Sequence, residues 1–238
     1  MNQKLSMIHK VLDKGFIEVI DKLGNDLTVV NSARVSFGKR KEQFDKNDEK
    51  LIKYLIENKH YSPFRHVMVQ FHIKAPEFVM RQWYKHVVGI ETTSSHPTKD
   101  HAWNEISGRY VEIEEDNYYK PLDWRAQSKD NKQASEGTLN KEQTEEANYW
   151  FDEAMSHWHH YYNALLGLGI AKEQARIILP LNIYTEVYWT ASFQAIMNFI
   201  ELRDDDHAQW EIREYAKVMK EIMLDLFPII TKFWLQTN

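Results

Sequence analysis

The chain has 238 residues, which is enough for one large domain or two small ones with a substantial core. Its formal net charge of −5 argues against a general nucleic-acid binder, and its lack of cysteine excludes disulfides, thiolate metal sites and cysteine nucleophiles. The N-terminal stretch lacks the apolar core of a signal peptide, and no stretch approaches the roughly 20 apolar residues of a membrane span. We therefore expect a soluble, cytoplasmic protein that binds neither nucleic acid nor a membrane.

The first half of the chain predicts a helix, a strand and a second helix. Residues 46–59 carry apolar side chains at three- and four-residue steps, as an amphipathic helix does. Residues 67–74 alternate between apolar and polar side chains, which predicts a strand with one buried face. Pro76 suits the first turn of the helix that follows, PEFVMRQWYKHVV.

The stretch WNEISGRYVEI at 103–113 combines polar and apolar residues in an unusual way. An amide, an acid, a hydroxyl and a guanidinium crowd into 104–109, and an alternating tail that predicts a strand follows at once. Polar segments flank this stretch. Residues 91–102 are predicted to form a loop, and residues 114–140 are predicted to form an exposed, mobile segment.

The second half predicts mainly helices. The predicted elements are a long helix at 141–166, a short helix at 172–179, a strand at 183–189, and helices at 191–203 and 207–227. The acids at 204–206 are assigned to the N-terminal cap of the last helix. Because strands and helices are segregated rather than alternating, the sequence predicts an α+β fold. No convincing linker is present, which favours a single domain over 1–238.

Three arginines stand in mainly apolar surroundings: Arg109, Arg176 and Arg203. A lone arginine of this kind is more often a structural ion-pair partner or a residue with only its stem buried. Three of them together with Lys85 and His86, in an acidic protein, favour a buried anion site. The planar guanidinium suits this role because it can donate to two acceptors of a phosphate or carbonyl ligand at once.

Other chemistry finds no support in the motifs. The HWHH stretch at 157–160 does not reproduce the HExxH spacing, so it is interpreted as helix-surface histidine and no metal ligand is expected. The sequence contains no GxSxG elbow, no GxGxxG and no P-loop. The residues alone therefore indicate an α+β protein with an arginine-lined pocket for a phosphorylated ligand.

The segments RQWYKH at 81–86 and WNEISGRY at 103–110 resemble the flavin-dependent thymidylate synthases, the ThyX family. The hallmark of that family is RHR followed by a short spacer and an S-x-R ending, in a context similar to RQW-(F/Y)-RHR…NExSxRY. The resemblance runs from about residue 12 to the last helix. Further family-like segments occur in family order at 12–27, 33–37, 62–76, 175–185 and 202–216.

The resemblance implies a ThyX-type α+β fold, with an antiparallel sheet packed against long helices. It also implies a homotetramer whose active sites combine residues from neighbouring chains. Family members convert dUMP to dTMP with FAD as hydride carrier, methylenetetrahydrofolate as one-carbon donor and NADPH as reductant. The absence of cysteine agrees with this chemistry, because classical thymidylate synthases attack the base with a thiolate.

The resemblance also assigns residues to roles. Arg203 is the expected catalytic residue, placed against the uracil edge, where it stabilises negative charge at N3 and O4. The residues expected to bind dUMP are Gln82, Lys85, Glu105, Ser107, Gly108, Arg109, Arg176 and Arg203. The residues expected to bind FAD are His60, Ser62, Lys85, His86, Val87, Glu105, Ser192, Gln194 and Asn198.

The departures from the family pattern all fall on the flavin side. The RHR motif is KHV at 85–87, and the spacer before Trp103 is longer by about the length of ETTSSHPTKDH. A common family acid after the SPF segment is Arg65 here, and the usual Asn and Arg on a later helix are Ser192 and Gln194. Two alternatives therefore stay open. One is a flavin- and folate-dependent pyrimidine nucleotide hydroxymethylase, and the other is a nucleotide-binding homologue that has lost catalysis.

Overall fold

The computed structural model describes residues 7–86, 102–132 and 134–237. The strands in these ranges are β1 (Ile8–Val11), β2 (Gly15–Leu23), β3 (Met68–Pro76), β4 (Ala102–Glu105), β5 (Arg125–Gln127), β6 (Ser135–Thr138) and β7 (Tyr184–Ser192). A five-stranded sheet has the order β1-β2-β3-β7-β4, and every neighbouring pair in it is antiparallel. Strands β5 and β6 form a separate antiparallel hairpin.

Helices account for most of the remaining chain. They are α1 (Asp26–Arg34), α2 (Lys46–Glu57), α3 (Glu77–Trp83), α4 (Lys141–Gly167), α5 (Lys172–Ala175), α6 (Phe193–Arg203), α7 (Trp210–Leu226) and α8 (Pro228–Thr237). Short 3-10 helices occupy Val35–Phe37, Ser62–His66 and Arg176–Ile178. The predicted combination of an antiparallel sheet with long helices is confirmed.

Strand β3 shows why the alternating pattern was informative. Its side chains Val69, Phe71 and Ile73 are fully buried, whereas the intervening polar residues face away from the core. The strand continues two residues further than predicted, because Ala75 and Pro76 still pair with β7. Pro76 is therefore the N-cap of α3 rather than part of its first turn.

The predicted long helix is confirmed as α4, which begins where Asn140 and Gln143 form a reciprocal capping box. The assignment of the acids at 204–206 to the N-terminal cap of the next helix is wrong. Helix α7 begins at Trp210, and Asp204 instead lies at the C-terminal end of α6, where it pairs with Lys220.

The segment at 114–140, predicted to be exposed and mobile, contains regular secondary structure. It includes the β5-β6 hairpin and Tyr119, whose side chain is 5% exposed. The backbone amide of Tyr119 donates to the carbonyl oxygen of Asn182 at 2.8 Å, which joins the segment to the start of β7. Most of the described residues of the segment are exposed or half-buried, as predicted, but the prediction is wrong for Tyr119, because polar composition does not reveal an aromatic side chain that a distant element buries.

The core between the sheet and helices α6, α7 and α8 is rich in aromatic rings. Trp83 lies at its centre, stacked on Phe199 with ring centroids 4.3 Å apart and in edge contact with Trp189 and Tyr215. Truncating a core tryptophan of this kind to alanine typically costs about 3–5 kcal/mol. Trp83 thus anchors the C-terminal end of α3 at a fixed position against both sheet and helices. None of the helices in the described ranges is long and apolar enough to cross a membrane.

Replacing Gly15 by alanine is expected to lower the free energy of unfolding by about 1–3 kcal/mol, because it overpacks the junction between β2 and α7. A Cβ atom at Gly15 would lie 2.0 Å from the hydroxyl oxygen of Tyr215 and 2.8 Å from the carbonyl oxygen of Lys74. That hydroxyl donates to the same carbonyl at 2.8 Å, so the ring cannot retreat without losing a hydrogen bond. Denaturant unfolding measures the change.

Gly167→Ala is the matched control for this substitution. Gly167 is the last residue of α4, and nothing lies within 4 Å of the added Cβ. Alanine is favoured over glycine in helices by about 0.8–1 kcal/mol, so this variant should be at least as stable as the parent. Equal destabilisation of the two variants would contradict the packing argument.

Candidate active site

The edge strand β4 carries the first part of the WNEISGRY segment. Trp103 pairs with Trp189 of β7, and their rings stack with centroids 5.0 Å apart and 14° between the planes. Glu105 pairs with Val187 at the end of the strand. The strand predicted at 110–113 is wrong, since those residues form no strand and the pairing with β7 is made earlier, by residues 102–105, which include the first two polar residues of the cluster.

Residues 107–110 form a turn directly after β4, closed by two backbone amides that donate to the carbonyl oxygen of Ser107. Arg109 is exposed, and its Nη2 donates to the adjacent tyrosine hydroxyl at 3.1 Å. A Cβ built on Gly108 would lie 3.4 Å from Cδ of Arg176, which is ordinary contact. The turn therefore lies against Arg176, although the two are far apart in the sequence.

The carboxylate of Glu105 lies in the same region. Thr185 donates from Oγ1 to Oε1 of Glu105 at 2.6 Å. Burial, and then the charge of Glu105, raise the pKa of Tyr84, and the same two causes raise the pKa of Glu77. The positive charge of Arg176 partly opposes the rise at Glu77. We call Glu77, Tyr84, Glu105, Gly108 and Arg176 the Glu105 group.

A second cluster surrounds Arg203 at the C-terminal end of α6. Its Nε donates to Nε2 of His86 at 3.1 Å, and its Nη1 donates to Oε1 of Gln82 at 3.3 Å. The amide of Gln82 in turn donates from Nε2 to Oε1 of Gln209 at 2.7 Å. We call these four residues the Arg203 group. Gln209 was not a predicted site residue; the signal that could have found it was its place in the family-like segment at 202–216.

His86 is a neutral imidazole in this arrangement. A guanidinium has no acceptor, so Nε2 of His86 must accept the bond from Arg203 and the ring hydrogen must lie on Nδ1. Burial, reinforced by the positive charge of Arg203, lowers the pKa of His86 to about 4. Because His86 stays neutral, it holds Arg203 without neutralising its charge.

The Glu105 group and the Arg203 group lie on different faces of α3. Glu77 and Arg81 are four residues apart and share one face, together with the ring of Tyr84. Gln82 is rotated from them by about 100° or more, since each helical residue turns the side chain by about 100°. Within one chain the structure thus brings Gln82, His86 and Arg203 together, and separately Glu105, Gly108 and Arg176.

The predicted flavin residues also divide into two sets. In the first set, Ser62 begins the 3-10 helix before β3 and His60 lies two residues earlier in the chain. Ser192 and Gln194 of the same set lie at the start of α6. Lys85 and His86 instead lie near the other end of α6, about 16 Å away at 1.5 Å of rise per residue. Asn198 lies between the two sets on an exposed face of α6.

Two of the departures from the family pattern contact each other. Nε of Arg65 donates to Oε1 of Gln194 at 2.7 Å, and Gln194 is 7% exposed. The resemblance led us to expect an acid at position 65 and an arginine at position 194, but this chain has an arginine and a neutral amide there. One guanidinium is therefore present at this junction, on the 3-10 helix instead of the expected position on α6.

This junction has the donors that a phosphorylated cofactor needs. Arg65, His60 and Ser62 are all exposed. Ser192 caps the N-terminus of α6 by accepting from the amide of Ala195 at 3.3 Å, and a helix N-terminus favours anions. The residues present therefore fit a diphosphate such as that of FAD.

Some predicted site residues lie outside the described ranges or are exposed. Val87 and the insertion at 91–101 fall outside the described ranges. Lys85 is exposed. The histidines at 157–160 lie on α4, and among the described residues no group of three or more His, Asp or Glu side chains is placed to hold a metal.

Guanidinium groups such as those of Arg65, Arg109, Arg176 and Arg203 suit the binding of phosphorylated ligands. The sequence matches the family described as thymidylate synthase complementing protein over residues 18–229. The flavin-dependent thymidylate synthase of Thermus thermophilus is 42% identical over 219 residues, which are 92% of this chain and 75% of that protein. That of Thermosipho melanesiensis is 39% identical over 98% of this chain and 95% of that protein.

A solved structure agrees with the sequence comparisons. A UMP/dUMP methylase from Streptomyces cacaoi bound with 5-Br dUMP has a TM-score of 0.79 at 27% identity, over 96% of this chain and 97% of that chain. The same methylase bound with 5-Br UMP has a TM-score of 0.78. The chain belongs to the flavin-dependent thymidylate synthase family, and it is therefore a flavin-dependent methyltransferase.

Replacing Arg203 by glutamine is expected to raise the pKa of His86 from about 4 towards its ordinary value, because the substitution removes the smaller of the two causes of the depression. The value should remain below the ordinary one, since burial is the larger cause and persists. An NMR titration of the His86 ring measures both proteins. Arg109→Gln, which removes an exposed guanidinium elsewhere, should leave the titration unchanged. A parent His86 that titrates at its ordinary pKa would refute the assignment.

Proposed function

We propose that this protein converts dUMP to dTMP by reductive methylation, with FAD as hydride carrier, methylenetetrahydrofolate as carbon donor and NADPH as reductant. The observation that carries the proposal is the state of Arg203. Its guanidinium is partly buried, which lowers its pKa, and among the described residues its partners are the neutral side chains His86 and Gln82. A positive charge that has no counterion among the described residues is available to a ligand that develops negative charge.

The uracil base supplies such a charge. We assign Arg203 to the N3 and O4 edge of the base, where it would stabilise the electron density that makes C5 nucleophilic. Arg203 is thus the catalytic residue, and Gln82 and His86 keep its guanidinium in position. The chain contains no cysteine, so the route does not involve attack by a protein thiolate on C6.

The nucleotide phosphate and sugar are assigned to the turn after β4 and its surroundings. Ser107, Gly108 and Arg109 offer a hydroxyl, backbone amides and a guanidinium, and Arg176 lies against the same turn. Lys85 adds an exposed positive charge. Glu105 accepts at the edge of the sugar or the flavin. Charge-assisted bonds from two guanidiniums suit a phosphate monoester.

The division of these residues over two faces of α3 supports active sites that are shared between chains. We propose that the Arg203 group of one protomer and the Glu105 group of its partner bind the same nucleotide, in a homotetramer. A symmetric homotetramer would form four such sites, each from the Arg203 group of one protomer and the Glu105 group of another. The chain, 1–238, acts in this assembly as one domain.

The predicted flavin residues also form two separate sets, so we assign the flavin to a site that is shared between protomers. His60, Ser62, Ser192, Gln194 and Asn198 would hold it from one protomer, with Arg65 supplying the guanidinium of the junction. His86, Lys85, Val87 and Glu105 would hold it from another. When bound, reduced FAD supplies the hydride that completes the methyl group.

Methylation of UMP is a second candidate, because the similar solved structures are of a UMP/dUMP methylase bound with analogues of both nucleotides. The thymidylate synthase relatives have higher sequence identity, which favours dUMP. A direct comparison of the two substrates distinguishes the candidates.

Incubation of the FAD-loaded protein with labelled dUMP, methylenetetrahydrofolate and NADPH is expected to yield dTMP, and UMP should react at least tenfold less efficiently. Product identification by mass spectrometry checks this expectation. Formation of 5-hydroxymethyl-dUMP would instead establish the hydroxymethylase. Protein that takes up no FAD would leave only a nucleotide-binding role.

Arg203→Ala is expected to lower kcat by about 100- to 1000-fold, the usual effect of removing a group that stabilises developing charge. Binding of dUMP, followed through the flavin spectrum, should weaken by less than about tenfold because the phosphate contacts remain. Arg176→Ala is the matched control and should show the opposite balance, with weaker binding and a smaller loss of kcat. Unchanged turnover in Arg203→Ala would refute its role.

A further inference from the structure

Glu211 is a buried acid that the proposed reaction does not use. It lies in the first turn of α7, and its side chain is 3% exposed. Its Oε1 accepts from Nη2 of Arg125 at 2.6 Å and from the hydroxyl of Tyr119 at 3.3 Å. Its Oε2 accepts from Nε2 of Gln209 at 3.0 Å. Arg125 and Tyr119 belong to the segment at 114–140, so this acid joins that segment to the Arg203 group.

The hydrogen bonds form one continuous chain from Glu211 to Arg203. Gln209 donates to Glu211, Gln82 donates to Gln209, and Arg203 donates to Gln82. The two ends of this series of hydrogen bonds have opposite hydrogen-bonding requirements. An ionised carboxylate can only accept hydrogen bonds, whereas a guanidinium can only donate them. The two amides between these ends are therefore held in one orientation each.

The orientation of Gln82 matters to Arg203. With its oxygen towards Arg203, Gln82 accepts a bond and holds the guanidinium in place. With the amide reversed, its NH₂ group would face the guanidinium, and two donors would oppose each other. A reversal at any link of the chain would therefore displace the catalytic arginine.

We propose that Glu211 is a positioning residue for catalysis, which orients Arg203 through Gln209 and Gln82. The inference rests on the proposed function, because it takes its effect through the role assigned there to Arg203. Arg125 holds the carboxylate from the β5-β6 hairpin, and its guanidinium also lies 5.3 Å from the ring of Trp210. The polar segment at 114–140 thus supports the active site through its hydrogen bonds to Glu211.

Glu211→Gln tests the proposal with almost no change of shape. Arg125 only donates, so the oxygen of the new amide must face it, and the new NH₂ group must face Gln209. Gln209 then reverses, Gln82 reverses in turn, and a donor faces Arg203. We expect kcat to fall about tenfold while the Kd for dUMP changes by less than about threefold.

Glu214→Gln is the matched control on the same helix. Glu214 pairs with Lys217 and makes no contact with the chain that leads to Arg203. This variant should retain the kcat and the dUMP affinity of the parent. If Glu211 served stability alone, Glu211→Gln would lower the melting temperature but leave the kcat of the folded enzyme unchanged, and that result would overturn the proposal.

The double variant Glu211→Gln with Gln209→Glu provides a rescue. The new carboxylate lies one link closer to the site and accepts from both the new amide and Gln82. The oxygen of Gln82 is then presented to Arg203 again, and the net charge of the chain is unchanged. We expect kcat to return to within about threefold of the parent. Failure of the double variant to recover above Glu211→Gln would overturn the amide-orientation argument.

Gln209→Met covers the case in which Glu211→Gln does not fold. It interrupts the chain at an exposed residue and leaves the bond between Arg125 and Glu211 in place. We expect a loss of kcat of about threefold or more, and full activity would overturn the proposal. The parent enzyme is assayed first with dUMP and UMP. If only UMP reacts, the proposed substrate is wrong, but the same variants still test the positioning role with that nucleotide.

Discussion

The stacking of Trp83 on Phe199 is the contact on which the rest of the candidate site depends. The rings lie 4.3 Å apart and 12° from parallel, and Trp189 closes the cluster from the sheet. Trp189 in turn stacks on Trp103 of the edge strand. Three elements that are remote in sequence, α3, α6 and β4, are therefore held in register by one aromatic core. The polar residues beside each ring, such as Gln82 and Arg203, take their positions from it.

The polar side of the site follows from the direction of its hydrogen bonds. Arg203 can only donate, so each of its neighbours must present an acceptor, and a neutral imidazole and an amide oxygen meet that requirement without cancelling the charge. A carboxylate in direct contact would also accept, but it would neutralise the guanidinium. The acid that orients the system, Glu211, is instead placed two amides away. Because the carboxylate is two amides away, its negative charge does not neutralise the guanidinium. Its need for a hydrogen-bond donor nevertheless fixes the orientation of both amides.

The flavin-side departures are easier to understand in pairs than singly. Taken alone, Arg65 in place of an acid and Gln194 in place of an arginine each suggest a weakened cofactor site. In the fold they are hydrogen-bonded partners, so one guanidinium remains at the junction and only its supporting element has changed. This exchange argues against the homologue that has lost catalysis. A substituted motif therefore does not by itself indicate lost chemistry when the compensating residue is 129 positions away.

The sequence by itself determined the elements with strong periodicity or clear caps. The alternation in β3 and the helical periodicity of α4 act over a few neighbouring residues, so both elements could be predicted, and the resemblance pointed to Gln82, Glu105 and Arg203, whose roles stay predictions. The strand at β4 could not be located, because its pairing with β7 depends on Trp189, some 80 residues later. Gln209, Glu211 and Arg125 escaped notice for the same reason. Only the tertiary structure decides which donor meets which acceptor, since hydrogen-bond partners are selected by distance in space and not by separation along the chain.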